Sequence, residues 1–268
     1  MNTPWGRMNL RRKVLNMLSY YGRLSSEVYD MDKPIGHSFG DVEFYMNRLK
    51  SCKGPILEPA TGTGRILIPL LENGLRVDGF DSSKDMLNIC ENNCKKRGLN
   101  PRLFEAKMES FSQDIEYDAI IVPTGTFLLL HKREDSILAL QNFYKHLSSG
   151  GRLILDISLQ TDISIGTVST RTWECSNGDV ITLENKTVEV DYINQYTISH
   201  GRYEKWRKGV LLQTELEHFP LLWYGVEEFR LILESIGFKN IVISSDYKFG
   251  QYPSNPEGII TFEAVAVK

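Results

Sequence analysis

The chain of 268 residues carries 31 Lys and Arg against 34 Asp and Glu, a net charge of −3 with a pI near 6.0. That balance lacks the basic face needed to neutralise nucleic-acid phosphates, and no apolar run approaches the roughly 20 residues of a membrane span. The length exceeds the common single-domain size of about 100–150 residues, so one large domain, or a core with a lid, is expected.

In chain order, residues 8–24 are predicted helical, with Leu10, Val14, Leu15 and Leu18 on one face. The stretch after Arg11, Arg12 and Lys13 is too short and polar for a signal peptide. Asp41 is the expected N-cap of a helix over 42–49. A strand at 55–59 leads into a glycine turn and a helix carrying Ile66, Leu67, Ile68, Leu70 and Leu71. A second strand at 77–80 presents Asp81 at its end, and Ser82 or Ser83 caps a helix to Lys96, stopped by Gly98. Strands at 101–105 and 117–122 follow; the latter is apolar except for Asp118, as a strand buried on both faces should be. A helix over 133–147 and a turn at Gly150-Gly151 lead to a fifth strand at 152–157. Strand–helix repetition of this kind predicts a parallel sheet covered on both sides.

From 166 to 222 the pattern changes. Strands are expected at 170–175, 180–190, 192–202 and 210–219, with turns at Ser176-Asn177-Gly178-Asp179 and at 205–209. Alternation such as Leu212, Thr214, Leu216 marks one wet face, so this is an antiparallel insert of three or four strands. A helix at 226–236 ending at Gly237 and strands at 240–245 and 259–267 complete the chain.

The chemistry concentrates in Glu58-Pro59-Ala60-Thr61-Gly62-Thr63-Gly64 and in Asp81, seventeen positions past the loop. Gly62 and Gly64, lacking Cβ atoms, let backbone N–H groups approach a ligand, and a carboxylate about 20 residues on is placed to accept both hydroxyls of a ribose. A dinucleotide is disfavoured: Leu67 stands where a third small residue is wanted, and Glu58 would repel a pyrophosphate. Glu58 suits a cofactor bearing positive charge. In these residues the chain resembles the class I S-adenosylmethionine-dependent methyltransferases, with an E/D-x-x-x-G-x-G loop and an acid ending the second strand. The strand–helix order of 19–160 and 225–268 matches too.

The resemblance implies a Rossmann-like, doubly wound, mostly parallel seven-stranded α/β sheet with an antiparallel β insert acting as lid or dimer face. It divides the chain into an N-terminal helical cap (1–50), a cofactor-binding core (51–160 and 225–268) and an insert over the acceptor site (161–224). It also implies S-adenosyl-L-methionine as cofactor and S-adenosyl-L-homocysteine as product. The implied cofactor set is Tyr29, Glu58, Ala60, Thr61, Gly62, Gly64, Arg65, Asp81, Ser82, Met86, Met108, Glu109 and Pro123. The family often ends its third strand near an Asp that contacts adenine. Here Ala106-Lys107-Met108-Glu109 occupies that place, and recognition falls to Met108 or Glu109.

Methyl transfer is a displacement at a sulfonium carbon, so the protein mostly supplies positioning and a dry site. No Asp/Asn-Pro-Pro-Tyr follows the fourth strand and no Pro-Cys pair is present, which turns the expectation to a small-molecule or peptide acceptor, at nitrogen. A hydroxyl or carboxylate acceptor, a non-catalytic cofactor sensor and aminopropyl transfer are the alternatives. His131 and Tyr29 are candidate catalytic residues; Phe127, Trp173, Trp206 and Tyr224 are candidate acceptor contacts. Cys90 and Cys94, one helical turn apart beside Met86 and Leu87, read as a core face rather than metal ligands. Four cysteines without a C-x-x-C pair suggest a reduced, cytoplasmic setting, and the protein is expected as a monomer or homodimer, without nucleic-acid or membrane partners.

Overall fold

The computed structural model describes residues 21–268. Most of the N-terminal helix expected over 8–24 lies outside the described residues. Within the described part of that stretch Tyr21 takes φ +48°, Gly22 is extended, and helix α1 spans Arg23–Asp32. Leu24, Val28 and Met31, spaced to share one helical face, give α1 its apolar side. Helix α2 (Asp41–Leu49) begins at Asp41, and the left-handed Gly40 is its N-cap. Asp41 is therefore helical rather than capping, and it is fully buried.

Strand β1 (Ile56–Pro59), helix α3 (Leu67–Glu72), β2 (Val77–Asp81), α4 (Lys84–Lys95), β3 (Leu103–Glu105), β4 (Tyr117–Val122), α5 (Arg133–His146) and β5 (Leu147–Ser158) alternate as expected. Ser83 caps α4 by accepting from the Met86 amide. Pairing of β5 begins at Leu147, with an irregularity in register near Gly150 and Gly151, so the expected glycine turn is a bulge within the strand. After the insert come α6 (Val226–Ile236), β10 (Phe238–Ser245) and β11 (Ile259–Ala266). The sheet runs β10-β11-β5-β4-β1-β2-β3, with β11 antiparallel to both its neighbours and the other strand pairs parallel. This is the expected seven-stranded, mostly parallel sheet. The strand order reverses between β1 and β4, which opens a crevice at their C-terminal ends. One core lies on each face: Phe127, Phe143, Tyr224, Phe229 and Phe262 on one side, and Phe44, Ile56, Leu67, Cys90 and Ile154 on the other.

Residues 168–222 build a separate four-stranded antiparallel sheet in the order β6 (Val168–Glu174), β7 (Val180–Asp191), β8 (Tyr196–Arg207), β9 (Val210–Leu222). The strand β8 runs through to Arg207, so the expected 205–209 connection tightens to a turn at Lys208 and Gly209. No helix among the described residues is long and apolar enough to cross a membrane.

Candidate active site

A cavity of about 210 Å³ opens just past the C-terminal ends of four adjacent strands. Ala60 and Gly62 follow β1, Asp81 ends β2 and Ser82 follows it, Ala106 to Glu109 follow β3, and Thr126, Leu129 and Leu130 follow β4. Tyr21 and Tyr29 close it from the N-terminal side, with Phe80 and Met86 completing the wall.

Asp81 is held by its surroundings before any ligand arrives. One carboxylate oxygen accepts from the Gly62 amide at 2.9 Å and the other from the Ser83 amide at 2.8 Å. Burial raises its pKa, while the amides of Ser83, Gly62 and Ser82 oppose that rise. Each oxygen keeps lone-pair capacity beyond its single anchor, and the residue faces the cavity. The loop glycines serve a different purpose from the expected one. The Gly62 N–H is committed to Asp81, not offered to a ligand. Gly64, at φ +92°, is demanded by packing: a Cβ there would meet Cys90 Sγ at 2.9 Å and Ile68 Cδ1 at 3.0 Å. Cys90 and Cys94 are buried core, as expected.

Under the loop lie polar atoms that no described group satisfies: Glu58 Oε2, Thr61 Oγ1, Thr63 Oγ1 and Arg65 Nε. Glu58 is 2 % exposed, and burial, reinforced by the charges of Asp81 and Asp41 against that of Arg65, pushes its pKa up to about 8. Thr61 and Arg65 oppose that rise without cancelling it, and a further positive charge brought close would favour the ionised carboxylate. These features fit S-adenosylmethionine: an anchored carboxylate for a diol, a buried acid of raised pKa beneath the loop, and an aromatic ring over Gly62, whose added Cβ would stand 3.8 Å from Tyr29 Cε1.

Of the expected cofactor residues, Tyr29, Ala60, Gly62, Asp81, Ser82, Met86, Met108 and Glu109 meet at the cavity wall. The other five, Glu58, Thr61, Gly64, Arg65 and Pro123, sit behind it. Arg65 is spent on structure: its guanidinium donates to both Asp41 oxygens, to the His37 carbonyl and to Thr124 Oγ1. The Pro123 carbonyl accepts from the Thr126 amide and hydroxyl, closing the 3-10 turn Thr126–Leu129. Thr124, left-handed at φ +62°, is clamped at both ends, since its amide donates to Asp156 at 2.8 Å. This clamp aims Thr126, Leu129 and Leu130 at the cavity.

The candidate acceptor contacts do not gather there. Phe127 and Tyr224 are fully buried in the core below the turn, ring centroids 6.3 Å apart, with the Tyr224 hydroxyl bonded to Ser136. Trp173 donates to Asp32 and Trp206 to Thr182, both on the insert and outside the cavity wall. His131 follows the turn but packs against His218 of β9, centroids 6.4 Å apart, where burial lowers its pKa. Tyr21, Phe80, Ala106, Lys107, Thr126, Leu129 and Leu130 line the cavity without having been expected to. The only sequence signal for the last three was their place after β4.

Residues 56–151 match a family described as "Methyltransferase domain". A glycine/sarcosine N-methyltransferase of Parasynechococcus marenigrum (strain WH8102) is 30% identical over 209 residues, covering 77% of this chain and 71% of the relative. The sugar N-methyltransferase KedS8 of Streptoalloteichus sp. superposes with a TM-score of 0.71 at 20% identity, over 93% of this chain and 97% of that one. An S-adenosylmethionine-dependent methyltransferase from Clostridium acetobutylicum gives 0.71 at 17%, over 91% and 98%.

Proposed function

The chain belongs to the class I S-adenosylmethionine-dependent methyltransferases, and we propose that it methylates a nitrogen of a small-molecule or short-peptide amine. When bound, the cofactor supplies a methyl group on a positively charged sulfur, ready for in-line displacement. In this reading Asp81 holds the ribose hydroxyls, Met86, Met108 and Glu109 border the adenine, and Glu58 answers the positive charge from beneath the loop. Tyr29 covers the glycine loop. The turn carrying Thr126, Leu129 and Leu130 forms the wall nearest the acceptor.

The observation that carries the choice of nitrogen is the make-up of that wall. Among the described residues that line the cavity there is no imidazole, its two carboxylates, Asp81 and Glu109, are assigned to the cofactor in this reading, and His131 lies outside the wall beside His218 of the insert. A hydroxyl acceptor needs a general base in reach. An amine can arrive as its free base and needs only orientation and exclusion of water. The similarity to a glycine/sarcosine N-methyltransferase supports the same reading, as do the four free cysteines for a reduced, cytoplasmic setting. The test is transfer of isotopically labelled methyl from S-adenosylmethionine to a panel of small amines, matched alcohols and carboxylic acids. Label appearing on amines alone is the expected result; label on alcohols or acids alone overturns the assignment.

Glu58 adds a pH signature. Its pKa near 8 lies above the unfolded value of 4.5, so its favourable contribution to the cofactor-free fold is complete below the unfolded value and is lost as pH rises through about 8. At pH 7 the carboxyl is mostly protonated, and a cation bound nearby favours the ionised form. Cofactor binding at pH 7 should therefore release protons, with affinity climbing toward pH 8 and levelling above it. Calorimetric titration in buffers of different ionisation enthalpy reads this directly, and Glu58→Gln should abolish the buffer dependence. A buffer-independent heat in the wild type rules out the linkage.

A further inference from the structure

The apolar face of α1 is buried against the insert, while another side of the helix packs on α4 of the core. Leu24 and Val28 form a cluster of their own with Ile181 and Tyr203, flanked by Trp173 and Leu183. The polar contacts follow the same division. Lys205 Nζ reaches both oxygens of Glu27 at 2.8 and 2.9 Å. Trp173 Nε1 and Arg171 donate to the two oxygens of Asp32. At the other end of the helix, Glu215 of β9 accepts from the Leu24 amide at 2.7 Å, supplying a carboxylate where the first-turn amides have no partner within the helix. Glu217, two residues on along the same face of β9, accepts from the Tyr21 amide at 3.2 Å. Against the core, α1 and the two residues before it hold fewer polar ties, such as Asn93 to Asp30 and Ser83 to the Tyr21 carbonyl.

None of the residues lining the cavity belongs to β6, β7, β8 or β9, whereas Tyr21 and Tyr29 do line it. We propose that the insert is the carrier of the cavity's lid: gripping α1 along its length, it sets how firmly Tyr21 and Tyr29 close over the cofactor. Lys205, Trp173, Glu215 and Glu217 are then positioning residues for cofactor retention, although none reaches the cofactor's cavity. The inference rests on the cofactor occupying this cavity as proposed above.

Hydrogen–deuterium exchange of the full chain with and without saturating S-adenosylhomocysteine tests it. Slower exchange is expected at residues 60–64 and 81–86, in α1, and also in β7, β8 and β9, which line no part of the cavity. Protection that stops at α1 and leaves the insert strands unchanged overturns the carrier role while leaving the cofactor site intact. Absence of protection at 60–64 and 81–86 overturns the cofactor placement itself. Lys205→Met and, should that variant not fold, Trp173→Phe should release S-adenosylhomocysteine roughly fivefold faster or more, with little change in association rate. An unchanged release rate in a folded variant also overturns the proposal.

Discussion

Asp81→Ala is expected to lower affinity for both S-adenosylmethionine and S-adenosylhomocysteine by about 10²- to 10⁴-fold, the largest effect of any single change in the cavity wall. The magnitude follows from two charge-assisted hydrogen bonds to ribose hydroxyls at roughly 1.5–3 kcal/mol each. The change also frees the amides of Gly62 and Ser83, which donate to this carboxylate, so the loop and the start of α4 lose their common anchor. Asp81→Asn keeps the shape and can satisfy one anchor, and should fall between wild type and Ala. Calorimetric titration decides it: wild-type binding with Asp81→Ala within about threefold would remove Asp81 from the ribose.

Arg65→Met is expected to cost about 3–5 kcal/mol of folding stability, because it leaves the Asp41 carboxylate buried without its charge partner. Both side chains are nearly inaccessible, at 3 % and 0 % exposure. Burial alone would raise the Asp41 pKa, but the hydrogen bonds and charge of Arg65, with the amides of Phe39 and Val42, outweigh it and hold the pKa below the usual carboxylate range. In the wild type this stabilisation is complete above the unfolded pKa and is lost as pH falls through the depressed folded value. In Arg65→Met the sign reverses, since an unpaired Asp41 relaxes by taking a proton; the deficit should shrink as pH drops from 7 toward 4.5. Thermal melts across that range report it. Adding Asp41→Asn, which keeps acceptors for the Phe39 and Val42 amides, should recover much of the loss. A deficit that grows on acidification would show that the pair is not the source.

The glycine loop, Asp81 and the parallel strands were legible because their signals are local. Ile56 and Leu57, two glycines and an acid lie within about 25 residues, and the spacing that makes β2 end at Asp81 is fixed by strand and helix lengths. The four strands of the insert were legible for the same reason, through alternation. What could not be read were placements decided by distant contacts. Phe127 and Tyr224 carry the same chemistry whether they line a pocket or fill a core, and only the packing of α6 against the turn decides for the core. Arg65 beside the loop suggested a ligand contact. It is instead claimed by Asp41, twenty-four positions earlier, and by Thr124, fifty-nine later. Trp173 on the insert suggested an acceptor wall, but its N–H is taken by Asp32, 141 positions away.

The separation between α1 and its grip bears on how the molecule is made. Glu215 and Glu217 reach back 191 and 196 positions to Leu24 and Tyr21. During synthesis the helix that carries Tyr29 leaves the ribosome early, yet the surface that buries Leu24 and Val28 exists only once Tyr203 of β8 has been translated, and its polar ties only after β9. Contacts of such long range form late and slowly. The doubly wound strands β1 to β5 are complete before the insert is, so the cofactor crevice takes shape first and its cover last. A nascent chain stalled near residue 160 would present the glycine loop and Asp81 with no partner for α1, leaving the helix's apolar face open to chaperones.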